Sequence, residues 1–278
     1  MARFVGSFAA SHGPLMVRDW HLVPPEHKDR LTAAFRELGR RVAEAEPEML
    51  VVVSPDHWVN FFLNNLPSVC IGVGEAHGGP PEPFMKAFPH ESVPGDPAFA
   101  GHLLATALAR DFEPAISHHL VLDHGFCIPL WRMELPRLPR IVPLIVNDLE
   151  PPMPSIRRCL AWGRLIAEAV ASYPGDARIA VLGTGGLSHS IGEVTMGDID
   201  EPFDQGCIRA FRDGGDDGLV AYLEPALRAT GNGGQEVRNW AVAHAAAGST
   251  GFDLIDYLAV PSVYVGCAFA SWRGQRTG

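Results

Sequence analysis

The sequence predicts an α/β fold: a layered sandwich with a central mixed, largely parallel β-sheet covered by helices on both faces. Two observations predict it. Short apolar runs, Met49–Val53 and Ile179–Leu182, end abruptly in the turn residues Ser54-Pro55 and Gly183. Apolar runs of this length without alternation read as strands buried on both faces. Amphipathic stretches separate them. Leu31, Ala34, Phe35, Leu38 and Val42 share one helical face, and so do Ile156, Leu160, Gly163, Ala167 and Val170. Continuous apolar strands between amphipathic helices pack as layers.

Two further strand signals are weaker. Ser68–Val73 is short, and Ile141–Val146 contains Pro143, which has no N–H for a ladder and disfavours a central position. The stretch from Gly74 to Gly95 is rich in Pro and Gly and reads as a long loop. It suits a lid, a subunit contact or a plain surface excursion. Strand and helix signals resume directly after it, so residues 1–278 read as a single domain without internal repeats. The tail Arg273–Gly278 is expected to fray.

Composition narrows the function. With 47% apolar residues in 278, the chain can bury a substantial core, and 19% charged residues argue against long disorder. A net charge of −10 without a basic patch excludes a nucleic-acid partner. The 5 cysteines are odd in number and form no C-x-x-C, against a disulfide framework or a structural zinc site and for a reducing cytoplasm. No apolar run approaches the ~18 residues of a membrane helix, and no signal peptide is expected at the N-terminus.

The chemistry lies in the turns. His12 stands in Ser11-His12-Gly13-Pro14, His57 in Pro55-Asp56-His57-Trp58, and His189 after Gly183-Thr-Gly-Gly-Leu-Ser. Each follows an apolar strand signal, and ligands of α/β sheets collect outside the carboxyl ends of strands. His124 sits in Leu122-Asp123-His124-Gly125, where an acid–base histidine and a turn histidine are equally open. Glu236 follows Asn232-Gly-Gly-Gln235, with Asn232 as a candidate N-cap and Gln235 completing a capping box. A first-turn glutamate favoured by the helix dipole explains it as well as a carboxylate reaching toward a metal does. Arg238 points away from Glu236, whereas Asn239 and Trp240 share its face.

With 12 histidines in the chain, most are not catalytic. His21, His27, His90, His102 and His244 lie in polar contexts and read as surface or locally bonded groups. His77 is ambiguous, and the adjacent His118 and His119 would point to opposite faces of a strand. The Gly-rich turn at 183–189 lacks the Lys-Ser/Thr of a P-loop, the G-x-G-x-x-G of a dinucleotide site and the second glycine of a nucleophile elbow.

Taken in this order, Ser11-His12, Pro55-Asp56-His57, Val121–Gly125, Gly183–His189 and Glu236 resemble the class III extradiol ring-cleaving dioxygenases. Asp-His-Gly followed by Gly-Thr-Gly-Gly-Leu-Ser-His is the specific part, and the likeness spans nearly the whole chain. The resemblance implies that His12, His57 and Glu236 are ligands of Fe(II), and that His124 and His189 are acid–base groups. Which of those two is the base stays open, with His189 preferred. It implies a catechol-type substrate, O₂ as co-substrate, both oxygen atoms in the ring-opened product, and a homo-oligomer, dimer or larger, with a small accessory subunit possible. Two imidazoles and one carboxylate leave one face of a metal open for such ligands. The alternatives are a zinc-dependent hydrolase on the same scaffold and a non-catalytic binding protein. For a carboxylated substrate, Arg18, Arg132 and Arg238 are equal candidates.

Overall fold

The computed structural model describes residues 1–273; the expected frayed tail beyond Arg273 lies outside the described residues. In chain order the strands are β1 (Arg3–Ala10), β2 (Met49–Ser54), β3 (Val69–Gly72), β4 (Ala76–Gly78), β5 (Ser92–Pro94), β6 (Ala115–Ser117), β7 (Arg140–Val146), β8 (Arg178–Thr184), β9 (Phe252–Val260) and β10 (Val265–Trp272). The helices are α1 (Leu15–Arg18), α2 (Pro25–Ala45), α3 (Pro97–Ala109), α4 (His124–Arg132), α5 (Ile156–Ser172), α6 (Glu201–Asp213), α7 (Gly215–Ala226) and α8 (Val237–Ala246).

An 8-stranded sheet runs in the order β6-β3-β7-β2-β8-β1-β10-β9. β7, β2, β8 and β1 are mutually parallel, while β3, β10 and β9 introduce antiparallel pairs. The expected mixed sheet is therefore present. Its period of two divides the core. Val51, Val53, Val181 and Leu144 face one layer with α3, α5, α6, α7 and α8, and Leu50, Val52, Leu182 and Ile145 face the other with α2 and α4. Burying each such side chain contributes roughly 1.5–3 kcal/mol before entropy is counted. No helix of the described residues is long and apolar enough to cross a membrane.

β7 corrects the expectation drawn from Pro143, because the strand lies between β3 and β2 in the sheet interior. Its ladder with β3 stops at the Ile71–Leu144 pair, one residue short of Pro143. The missing N–H thus falls just past the last paired residues of that ladder, opposite Gly72. The stretch from 74 to 95 is more ordered than a plain loop, since β4 and β5 pair as an antiparallel hairpin. The Gly78 N–H donates to the Leu120 carbonyl at 2.8 Å, which pins the hairpin beside the start of α4.

Candidate metal centre and active site

Three adjacent parallel strands deliver three histidines to one edge. His57 follows β2, His189 follows β8 and His12 follows β1, and β2-β8-β1 are neighbours. Parallel strands expose their carboxyl ends together, so residues far apart in sequence meet in one crevice. His124 opens α4, where the Asp123 carboxylate caps the helix by accepting the Gly125 N–H at 2.8 Å. Glu236 ends a 3-10 turn, Asn232–Glu236, that leads into α8. All five residues line one pocket of about 320 Å³.

Glu236 is the hub. Its Oε2 lies 3.5 Å from His12 Nε2, and its Oε1 lies 3.3 Å from His57 Nε2 and 3.8 Å from His189 Nε2. The Gly186 N–H donates to Oε2 at 2.7 Å and holds the carboxylate in place. Burial opposes its charge, yet the His12 and His189 imidazoles outweigh burial and hold the carboxyl well below the usual range. Two glycines make the approach possible. Gly185 has φ +107°, and a Cβ there would stand 2.5 Å from Glu236 Oε2. A Cβ on Gly233 would stand 2.1 Å from the His189 ring.

Each histidine is oriented from behind in a different way. Asp123 Oδ2 accepts the His57 Nδ1–H at 3.0 Å, so the Nε2 of a neutral ring turns its lone pair to Glu236. Burial works against charge on His57, but Asp123 and Glu236 outweigh it and lift its pKa well above the usual imidazole value. A divalent cation at Nε2 would take the place of that proton. Glu82 Oε1 accepts both the backbone N–H of His124 at 3.0 Å and its Nδ1–H at 2.8 Å. Burial and the neighbouring His57 push His124 down to about 4, which makes it a neutral ring at neutral pH. His189 Nδ1 donates to the Leu187 carbonyl at 3.1 Å, and burial lowers its pKa as well.

The donor set fits a metal. Both ring nitrogens of His12 are buried with no hydrogen-bond partner, the mark of a polar group whose ligand is of another kind. His12, His57 and His124 bring ligand atoms within 4.8 Å of one another, and ring centroids of His57 and His124 are 4.1 Å apart. At metal–ligand lengths of roughly 2.0–2.2 Å, donors at right angles lie about 3 Å apart. The Glu236 spacings to His12 and His57 are close to that.

Several expectations need correction. Asn232 does not cap a regular helix: its side chain accepts the Ile191 N–H and donates to the Ile191 carbonyl, both at 2.8 Å. Gln235 donates to the Leu227 carbonyl at 2.6 Å instead of closing a capping box. The 3-10 geometry removes the helical offset on which the box depends. His244 is no surface group. It is fully buried and accepts the Trp272 indole N–H at 2.9 Å. His77 is also buried, with Nδ1 accepting the Leu120 N–H at 3.3 Å. Asn239 and Trp240 do share the Glu236 side, donating to the Thr184 and Gly185 carbonyls, while Arg238 turns to the Pro154 carbonyl at 2.7 Å.

Sequence reasoning passed over Asp123, Glu82 and Asp204. Asp123 carried a signal, as an Asp directly before a buried helix start. Glu82 carried none, because it sits in the Pro-rich stretch and meets His124 only through the fold. Asp204 accepts the Ser188 N–H at 2.7 Å, the Ser188 hydroxyl at 2.9 Å and the Tyr257 hydroxyl at 2.8 Å, bracing the turn that carries His189.

Fold and site together define a layered α/β protein with a cluster of histidines around a buried carboxylate at its parallel strand ends. Residues 6–266 match the family of the catalytic LigB subunit of aromatic ring-opening dioxygenase, and the chain belongs to that family. A 2,3-dihydroxyphenylpropionate/2,3-dihydroxicinnamic acid 1,2-dioxygenase of Klebsiella pneumoniae subsp. pneumoniae is 33% identical over 186 residues, covering 64% of this chain and 54% of that protein. The enzyme of the same name from Cupriavidus necator is 34% identical over 165 residues, covering 58% and 49%. The chain thus spans about half the length of these curated relatives. An uncharacterised protein of Escherichia coli K12 shares the fold, with TM-score 0.65 and 16% identity over 96% of this chain and 99% of that one.

Proposed function

We propose that this chain is a non-haem Fe(II)-dependent extradiol dioxygenase that opens a catechol-type ring with both atoms of O₂. One observation carries the reading most: the buried Glu236 carboxylate spans His12 and His57, one oxygen toward each imidazole, at 3.5 and 3.3 Å. Membership of a ring-opening dioxygenase family supports it. His12, His57 and Glu236 would hold the iron, which when bound brings a vicinal diol and oxygen together on its open face.

The remaining residues then have definite tasks. His189 is neutral, with Nδ1–H tied to Leu187, so its Nε2 is free to take a proton from a substrate hydroxyl beside Glu236. His124 presents the ring edge opposite its Glu82-bound Nδ1 and serves as the second proton-transfer or substrate-orienting group. Leu149 and Ile191 offer the ring apolar contact at the side of the pocket. The reading includes a single catalytic domain over 1–278 and a cytoplasmic homo-oligomer, dimer or larger.

A second reading has its own observation. Three imidazoles, His12, His57 and His124, could hold Zn²⁺ and activate water for hydrolysis. Anaerobic loading with Fe(II) or Zn²⁺, followed by an oxygen electrode and a screen of substituted catechols, separates them. Oxygen uptake with yellow ring-opened products only in Fe(II)-loaded protein is the expected result. Zinc-dependent hydrolysis without oxygen uptake would overturn the first reading.

A further inference from the structure

Resting on the dioxygenase reading, we propose that the substituent on this chain's catechol ring is uncharged and apolar, selected by Trp58, Leu149 and Ile191. Beyond its histidines and Glu236, the pocket is walled by these side chains and Pro14, and no Lys or Arg is among the described residues that line it. Trp58 and Ile191 are 38% and 47% exposed and so form the open side. The loops that carry them continue with the exposed Phe62 and Leu63, and with Val194 and Met196.

A carboxylate entering this mouth would lose water and meet no cationic Lys or Arg side chain among the described lining residues. Asn232, the one carboxamide of the lining, has both ends of its amide bound to Ile191. Three of the wall's backbone donors are engaged too. The Trp58 N–H donates to the Asp56 carbonyl, the Leu149 N–H to Asn147 Oδ1 and the Gly233 N–H to the His189 carbonyl. The arginines that suited an acid from sequence all stand elsewhere. Arg18 pairs with Asp19, and Arg132 lies over the Trp20 and Trp131 rings with its guanidinium donating to the Met16 carbonyl. Arg238 is bound to Pro154 and Gln235. An ionised group with no counter-charge in such a wall is disfavoured, whereas an alkyl chain gains from every methylene it buries there. The relatives above are named for acids, so the inference separates this chain from them.

The test compares 3-propylcatechol with 3-(2,3-dihydroxyphenyl)propionate on the full-length Fe(II)-loaded protein. We expect kcat/KM for the propyl compound to exceed that for the propionate by at least about tenfold. Ile191→Arg puts a cation at a half-exposed rim position and should shift the ratio toward the propionate by a similar factor. A wild-type protein that prefers the propionate, or a ratio that Ile191→Arg leaves unmoved, overturns the proposal. Should unsubstituted catechol itself not be opened, the dioxygenase reading fails on its own. Equilibrium dialysis of the same two compounds then decides the pocket: tighter binding of 3-propylcatechol upholds the apolar assignment, and tighter binding of the propionate overturns it.

Discussion

One oxygen of Asp123 holds His57 twice: Oδ2 accepts the His57 backbone N–H at 2.7 Å and its Nδ1–H at 3.0 Å. The carboxylate therefore sets both where the loop after β2 turns and which ring nitrogen faces Glu236. Groups that orient a metal-bound histidine in this way matter nearly as much as the ligand itself.

Asp123→Asn keeps the shape and removes the charge that fixes this tautomer. We expect metal affinity to fall roughly 10–100-fold with the fold intact. Competition with a chromogenic chelator reads the affinity, and circular dichroism checks the fold. Unchanged affinity would show that His57 needs no support from behind.

Gly233→Ala offers a way to move His189 without touching a proposed ligand. The added Cβ would lie 2.1 Å from ring atoms, so the imidazole must shift. A displacement near 1 Å should lower kcat by about 10²-fold while metal content stays at the wild-type level. Loss of metal together with activity would place His189 among the ligands.

Glu82→Gln tests the proposed role of His124 as second acid–base group. Glu82 accepts from His124 at 2.8 Å and keeps its ring at one angle to the pocket. The amide holds that contact less strongly. We expect kcat to drop about tenfold with KM nearly unchanged, the pattern of an interaction made in the transition state. A rise in KM alone would reduce His124 to substrate binding.

Asp204 predicts a pH effect on stability. Burial pushes its carboxyl up to about 6 from an ordinary value of 3.8. The folded state therefore binds the proton more tightly than the unfolded chain between about pH 4 and 6. The stabilising contribution is complete below the lower value and is lost as pH rises through the upper one. The stability difference between wild type and Asp204→Asn should change by on the order of 2 kcal/mol across this window. Urea unfolding of both proteins at pH 4.5, 5.5 and 7 measures it, and parallel pH profiles would count against a shifted Asp204.

Much of this site was legible from local patterns. The apolar runs of β2 and β8 marked strand ends, and the turns after them carry His57 and His189 as the strand geometry demands. Other parts were hidden. Pro143 concealed an interior strand because its place beyond the end of the β3 ladder depends on the register of a distant segment. The Asn232 amide reads as a cap from its neighbours, yet Ile191, 41 positions away, is its actual partner.

The sequence by itself determined the layered α/β class, the turns that bear chemistry and the residue types able to hold a metal. Periodicity and turn preferences are properties of adjacent residues and need no knowledge of the rest of the chain. Only the tertiary structure decided that Asp123 backs His57, that Glu82 reaches His124, and that no arginine lines the mouth among the described residues. Those pairings arise because parallel strands return through long crossovers that bring remote segments to one sheet edge. A long cationic side chain can then satisfy itself on whichever carbonyl or ring the packing offers, as Arg238 and Arg132 do.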